Sequence, residues 1–244
     1  MLQEIGFLIL IAVVAFLYAS VGHGGASGYL ALMVLFGISP ELMKPSALIL
    51  NLFVSSIAFY QYYRHGFFRY KLLLPFIILS IPLSFIGAKI HIDTQTYKMI
   101  LACCLMIATL RILGLFGKRD VTKLKEVQFI PALFIGGVLG FISGMIGIGG
   151  GILLSPVLIL LNWSDMKQTA AVSAAFIFLN SGSGLAGASF GSEIFSSNIY
   201  LWSMAAIIGG TAGAFYGSRK FNYVVLKYIL SVVLIFACTK LFTS

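Results

Sequence analysis

Apolar residues run along this 244-residue chain in eight blocks, at roughly 5–36, 46–63, 72–90, 96–116, 128–161, 168–190, 198–217 and 222–242. Most blocks have the roughly 20 residues that an α-helix needs to cross the hydrocarbon of a bilayer. The apolar–polar alternation of a transmembrane barrel strand is absent, so the pattern predicts an all-α polytopic membrane protein. Two blocks are too long for one crossing. At about 1.5 Å per residue, the 32 residues of 5–36 would make a rod of ~48 Å against a hydrocarbon core of ~30 Å, and 128–161 is similar. Both are interrupted by glycine: Gly22, Gly24 and Gly25 in "ASVGHGGASGYLAL", and Gly147, Gly149, Gly150 and Gly151 in "GMIGIGGGILLSP". Glycine weakens a helix because it loses the most backbone entropy on ordering. In lipid, broken backbone persists where protein buries it or where it lines a wet cavity. An arm, a glycine tip and a returning arm make a hairpin of suitable length. One strongly tilted or kinked helix is the rival arrangement.

The two halves can be laid over one another. Gly22-His23-Gly24-Gly25-Ala26 aligns with Gly147-Ile148-Gly149-Gly150-Gly151, "SPELMKPSA" (39–47) with "SDMKQTA" (164–170), and "FIGAKI" (85–90) with "FYGSRK" (215–220). We therefore expect an internal duplication: repeat 1 over 1–117, a basic linker over 118–126, and repeat 2 over 127–244. Paired interruptions in corresponding positions of two halves are the best pointer in a sequence to a transporter's binding site.

Charge decides how the halves face. Nine per cent of residues are charged and sixty per cent apolar, far from a soluble domain, and mean hydropathy is +1.04. The net charge of +9 is scattered through short loops rather than clustered, so nucleic acid is not an expected partner. If each long block crosses once, nine basic residues lie on one side and seven on the other. If each long block dips in and returns, twelve lie inside and four (Lys44, Lys89, Lys98, Lys240) outside, in keeping with the positive-inside tendency. Each repeat then has an odd number of crossings. The expected fold is two inverted repeats, each a glycine-broken hairpin followed by three transmembrane helices. The N-terminus "MLQEIGFLIL" lacks the basic stretch of a cleaved signal peptide.

A helix that begins inside the membrane presents unpaired N–H groups and a positive dipole end, which glycine lets a ligand approach closely. Segments starting near Ala26 and Ile152 would aim such ends inward. All seven acidic residues lie in loops or near segment ends, away from mid-membrane, where cation carriers place carboxylates. Both facts point to an anion. Candidate binding residues are Gly22, His23, Gly24, Gly25, Ser27, Asn51, Gly147, Gly149, Gly150, Gly151, Ser173 and Asn180. His23 could donate to an anion, carry a coupled proton, or simply bond to a neighbouring helix. The asparagines and serines equally suit interhelical hydrogen bonding, and Gly136, Gly137, Gly140 and Gly144 suit helix packing. Tyr60, Tyr62, Tyr63, Tyr70 and Trp202 suit interfacial belts. Cys103, Cys104 and Cys238 show neither metal nor disulfide spacing and read as packing residues, and no cofactor or metal is expected.

The phrase "GFISGMIGIGGGILLSPVLILL" (140–161), followed by "KQTAAVSAAFIFLNS" (167–181), resembles the TauE/SafE family of sulfite exporters, and "KPSALILNLFVSSIAFYQYYRHGFFRYKLLLPF" (44–76) is similar to the first repeat of one branch. The second glycine motif with its downstream Pro156 carries the likeness best; the first departs from it at His23 and Ala26. The resemblance implies a multi-pass transporter of the bacterial inner membrane for small sulfur-containing anions such as sulfite, sulfoacetate or sulfonates. The expected partners are a small organic or inorganic anion and the lipid bilayer, with self-association left open. Two other classes stand beside a secondary transporter: a passive anion channel on the same scaffold, and a membrane thiol enzyme using Cys103 or Cys104. The enzyme would need a general base or metal cluster that the sequence does not supply. The phosphate-binding pattern GxxxxGK[ST] is absent, so ATP hydrolysis by this chain is not expected.

Overall fold

The computed structural model describes residues 2–90, 124–188 and 197–220, with scattered positions between 95 and 110 and residue 235. Among these residues the chain forms helices and no strand: α1 (Leu2–Ser20), α2 (Ala26–Leu35), α3 (Pro40–Arg64), α4 (Tyr70–Lys89), α5 (Phe129–Ile146), α6 (Gly151–Leu160), α7 (Met166–Gly187) and α8 (Ser197–Arg219). Six of them (α1, α3, α4, α5, α7 and α8) are long and apolar enough to cross a membrane. Most of the apolar blocks at 96–116 and 222–242, and linker residues 118–123, lie outside the described residues.

Glycine sets the breaks. Gly22 (φ 77°), Gly25 (98°), Gly147 (87°), Gly149 (72°) and Gly150 (74°) all hold left-handed backbone, which a side chain would strain. At each break the chain reverses. Phe36, which caps α2, lies 4.8 Å ring to ring from Phe7 near the start of α1, and the Ser27 hydroxyl donates to Tyr18 Oη at 2.8 Å. α2 thus doubles back along α1. In the second half, the Lys125 N–H just before α5 donates to Asn162 O just after α6, at 2.7 Å. The single-rod arrangement of the two long blocks is not the one adopted.

Small residues govern how the long helices pack. Gly136, Gly140 and Gly144 of α5 press on the backbone of Phe76, Ser80 and Ser84 of α4, so the two helices run parallel. Gly209, Gly213 and Gly217 of α8 press in the same way on Ala12, Phe16 and Ser20 of α1, and this pair is parallel too. Without Cβ atoms the backbones come close enough for dispersion and Cα–H···O contacts, which replace the hydrophobic drive that lipid cannot give. α3 and α7 cross antiparallel at the centre. Leu48 faces Gly184, Asn51 bonds to Ser181, and Tyr62 packs with Ala170 and Ala171.

These directions place Arg64, Arg69, Lys71, Lys125, Lys167, Arg219 and Lys220 at one end of the bundle and Lys44 and Lys89 at the other. Tyr60, Tyr63 and Tyr70 are exposed, as a belt requires, whereas Tyr62 is buried and its hydroxyl donates to Ser20 O at 2.7 Å. Tyr62 therefore ties α3 to α1 rather than lying at an interface. Cys103 is exposed rather than packed inside, while Cys104 and Cys238 lie outside the described residues.

Candidate substrate site at the two glycine tips

Asn51, in the middle of α3, is fully buried and touches both tips. Its Oδ1 accepts the Ala26 N–H, the first of α2, at 3.0 Å, and its Nδ2 donates to Ser181 Oγ of α7 at 3.4 Å. A methyl group at Gly24 would strike Asn51 Oδ1, and one at Gly149 would stand 2.6 Å from Asn51 Nδ2. Both glycines and Gly151 also lie against Ile177. The N-terminal ends of α2 and α6 thus converge on one level, where α3 and α7 cross. The first amides of α6 have no preceding turn of their own helix to reach, and its backbone bonding starts with Leu153 and Leu154 N–H, which close on Gly150 O at 3.1 and 3.0 Å. Two dipole ends with glycine backbone, surrounded by neutral polar side chains, make a surface that attracts negative charge.

A second polar chain joins the halves. His23 Nδ1–H donates to Val21 O at 3.1 Å, which leaves Nε2 as acceptor in the neutral ring, an assignment that follows from the bonding pattern. Ser155 Oγ of α6 sits 2.9 Å from that Nε2, 2.8 Å from Ser173 Oγ of α7 and 3.0 Å from Gly151 O. Ser155 has one proton to give. Gly151 O and the Nε2 of a neutral ring compete for it, whereas a protonated ring donates to Ser155 and leaves that proton to Gly151 O.

The remaining predicted residues divide. Gly25 and Gly150 cap α2 and α6. Gly22 packs on the backbone of Ala170, and Gly147 on the stem of Lys44, whose Nζ donates to Ala88 O at 3.0 Å. Ser27 points back to α1 through Tyr18. Asn180 turns from the tips: its Nδ2 donates to Ser80 Oγ of α4 at 3.1 Å and to Phe176 O at 2.9 Å.

Besides Ser155, two side chains that sequence reasoning passed over join the tips. Tyr29 folds back over Gly25, with Oη 2.8 Å from where a methyl group there would be; Ser143 Oγ stands 3.4 Å from the same point at Gly150. Both hydroxyls are buried without a hydrogen-bond partner. Each capping glycine therefore has an unpaired hydroxyl beside it. Tyr29 lies four residues after Gly25, and helical side chains lean toward the N-terminus, a signal that could have found it.

Comparison with known proteins agrees with this architecture. The profile described as sulfite exporter TauE/SafE matches residues 7–241. A probable membrane transporter protein of Sinorhizobium fredii, y4hK, is 37% identical over 242 residues, covering 98% of each chain. Two probable membrane transporter proteins of Bacillus subtilis are more distant: YjnA at 26% identity, covering 90% of this chain and 92% of its own, and YunE at 24%, covering 81% and 79%. No solved structure matches the chain. A match over nearly all its length, carried by a multi-pass helical bundle with two glycine breaks, places this chain in the TauE/SafE sulfite exporter family of membrane transporters.

Proposed function

We propose that the protein is a secondary transporter of the bacterial inner membrane for small sulfur-containing anions such as sulfite, sulfoacetate or sulfonates, and that the anion is held between the two glycine tips. The observation that carries this reading is the convergence of the α2 and α6 N-termini on Asn51. There the backbone amides, with the hydroxyls of Tyr29 and Ser143 as donors, would replace the anion's water shell without a buried cation. That suits a cargo which must also leave.

The halves are read as inverted repeats, with boundaries near 1–117 and 127–244. Helix pairing supports this: exchanging α1 with α5 and α4 with α8 turns the parallel α1–α8 pair into the parallel α5–α4 pair, and maps the central antiparallel α3–α7 pair onto itself. Transport then follows from rocking one half against the other about a fixed site. The His23–Ser155–Ser173 chain spans that boundary, so a proton on His23 would re-route the hydrogen bond holding the first tip to α6. Proton coupling through His23 is part of the proposal.

Purified protein in proteoliposomes loaded with unlabelled sulfite should take up radiolabelled sulfite by saturable counterflow. Non-saturating, conductive flux would favour the channel, and absence of flux for sulfite, sulfoacetate and taurine alike would overturn the reading. In the same vesicles the wild type should vary in rate with pH, and His23→Ala should flatten that profile. An unchanged profile would remove the proton role.

A further inference from the structure

At the end of the bundle that carries most of the described basic residues, a cavity of about 620 Å³ opens between the start of α4, the segment leading into α5 and the turn after α6. Arg69, Lys71 and Lys125 line it, against one carboxylate, Glu126, and Trp163 contributes to its wall. The Lys125–Asn162 backbone bond ties two of these segments together. Tyr70, 64% exposed, stands at the cavity, and beyond it α4 and α5 present Leu74, Ile78, Ile130 and Phe134 on their outer surfaces. The cavity is thus cationic where the helices begin and continues into apolar helix surface where they enter the span.

We propose that this cavity binds the phosphate headgroup of an anionic phospholipid, whose acyl chains lie along the outer faces of α4 and α5. A free anion would need the charges alone. The apolar continuation, and a position at the boundary where the positive end of the protein meets the headgroups, select a lipid. The site is separate from the glycine tips and stands whether or not the transport reading holds.

Native mass spectrometry of the purified chain in a neutral detergent, given equal phosphatidylglycerol and phosphatidylcholine, tests it. The wild type should retain phosphatidylglycerol in preference, by about fivefold or more. The triple variant Arg69→Gln/Lys71→Gln/Lys125→Gln should bring the two lipids to parity, while Arg219→Gln/Lys220→Gln, at the same end but outside the cavity, should keep the preference. If the triple variant misfolds, Lys71→Gln alone, on an exposed helix start, should show a partial loss. Retained preference in the triple or single variant overturns the proposal, as does equal loss in the Arg219/Lys220 pair. Full displacement of the lipid by millimolar glycerol phosphate also overturns it, because headgroup charge alone would then suffice.

Discussion

Tyr29 and Ser143 each bury a hydroxyl without a hydrogen-bond partner, and such a group costs about 1–3 kcal/mol. An anion that bonded these hydroxyls would recover that cost. Tyr29→Phe and Ser143→Ala should therefore leave the melting temperature unchanged or raise it. Each should weaken sulfite binding roughly tenfold, the worth of one hydrogen bond to a charged group. Calorimetric titration alongside thermal unfolding separates the two effects; lower stability with unchanged affinity would assign the hydroxyls to packing. These residues were hard to read in the sequence because a tyrosine or serine in an apolar helix resembles any other belt or packing residue. The converse holds for Asn180. Its polarity in an apolar block drew it into the candidate site, but polarity says nothing of which helix face it occupies, and it faces Ser80 of α4. Asn51 was legible by type and depth, while its bond to Ala26 depends on how the reversal at Gly22–Gly25 sets the start of α2 against α3, which no local pattern encodes.

At the scale of elements, glycine has two separate jobs. In α5 and α8 it recurs every four residues and lets backbones touch; at the tips it adopts left-handed φ and ends helices. Spacing told these apart, since Gly136, Gly140 and Gly144 lie on one helical stripe whereas Gly149, Gly150 and Gly151 are consecutive. The partner helix was invisible, because α4 and α5, or α1 and α8, are joined by no pattern along the chain. Gly213→Leu would drive a side chain into the Phe16 carbonyl and should cost about 3 kcal/mol or more, read as a large drop in melting temperature in detergent. Gly6→Leu, with open space around it, should melt like the wild type or slightly higher. Equal effects at both positions would mean that the α1–α8 contact does not hold the bundle together.

For the whole molecule, length and charge together resolved an ambiguity that neither resolved alone. A 32-residue apolar block can tilt or fold back, and the distribution of lysine and arginine favoured folding back. Seven of the nine described basic residues do lie at one end. In a background with Cys103, Cys104 and Cys238 replaced, Gly66→Cys should be labelled by an impermeant maleimide only after the cytoplasm is opened, and Ile38→Cys in intact cells. Labelling of both from one side would contradict the orientation.

In the proposed transporter, backbone amides of the two glycine tips hold the anion. Protein labelled with nitrogen-15 at glycine, reconstituted in nanodiscs and titrated with sulfite, reports each amide directly. The signals of Gly24, Gly25, Gly149, Gly150 and Gly151 should move together and saturate, while those of Gly209, Gly213 and Gly217 stay fixed. Saturable sulfite binding that leaves the tip amides unmoved would contradict the account.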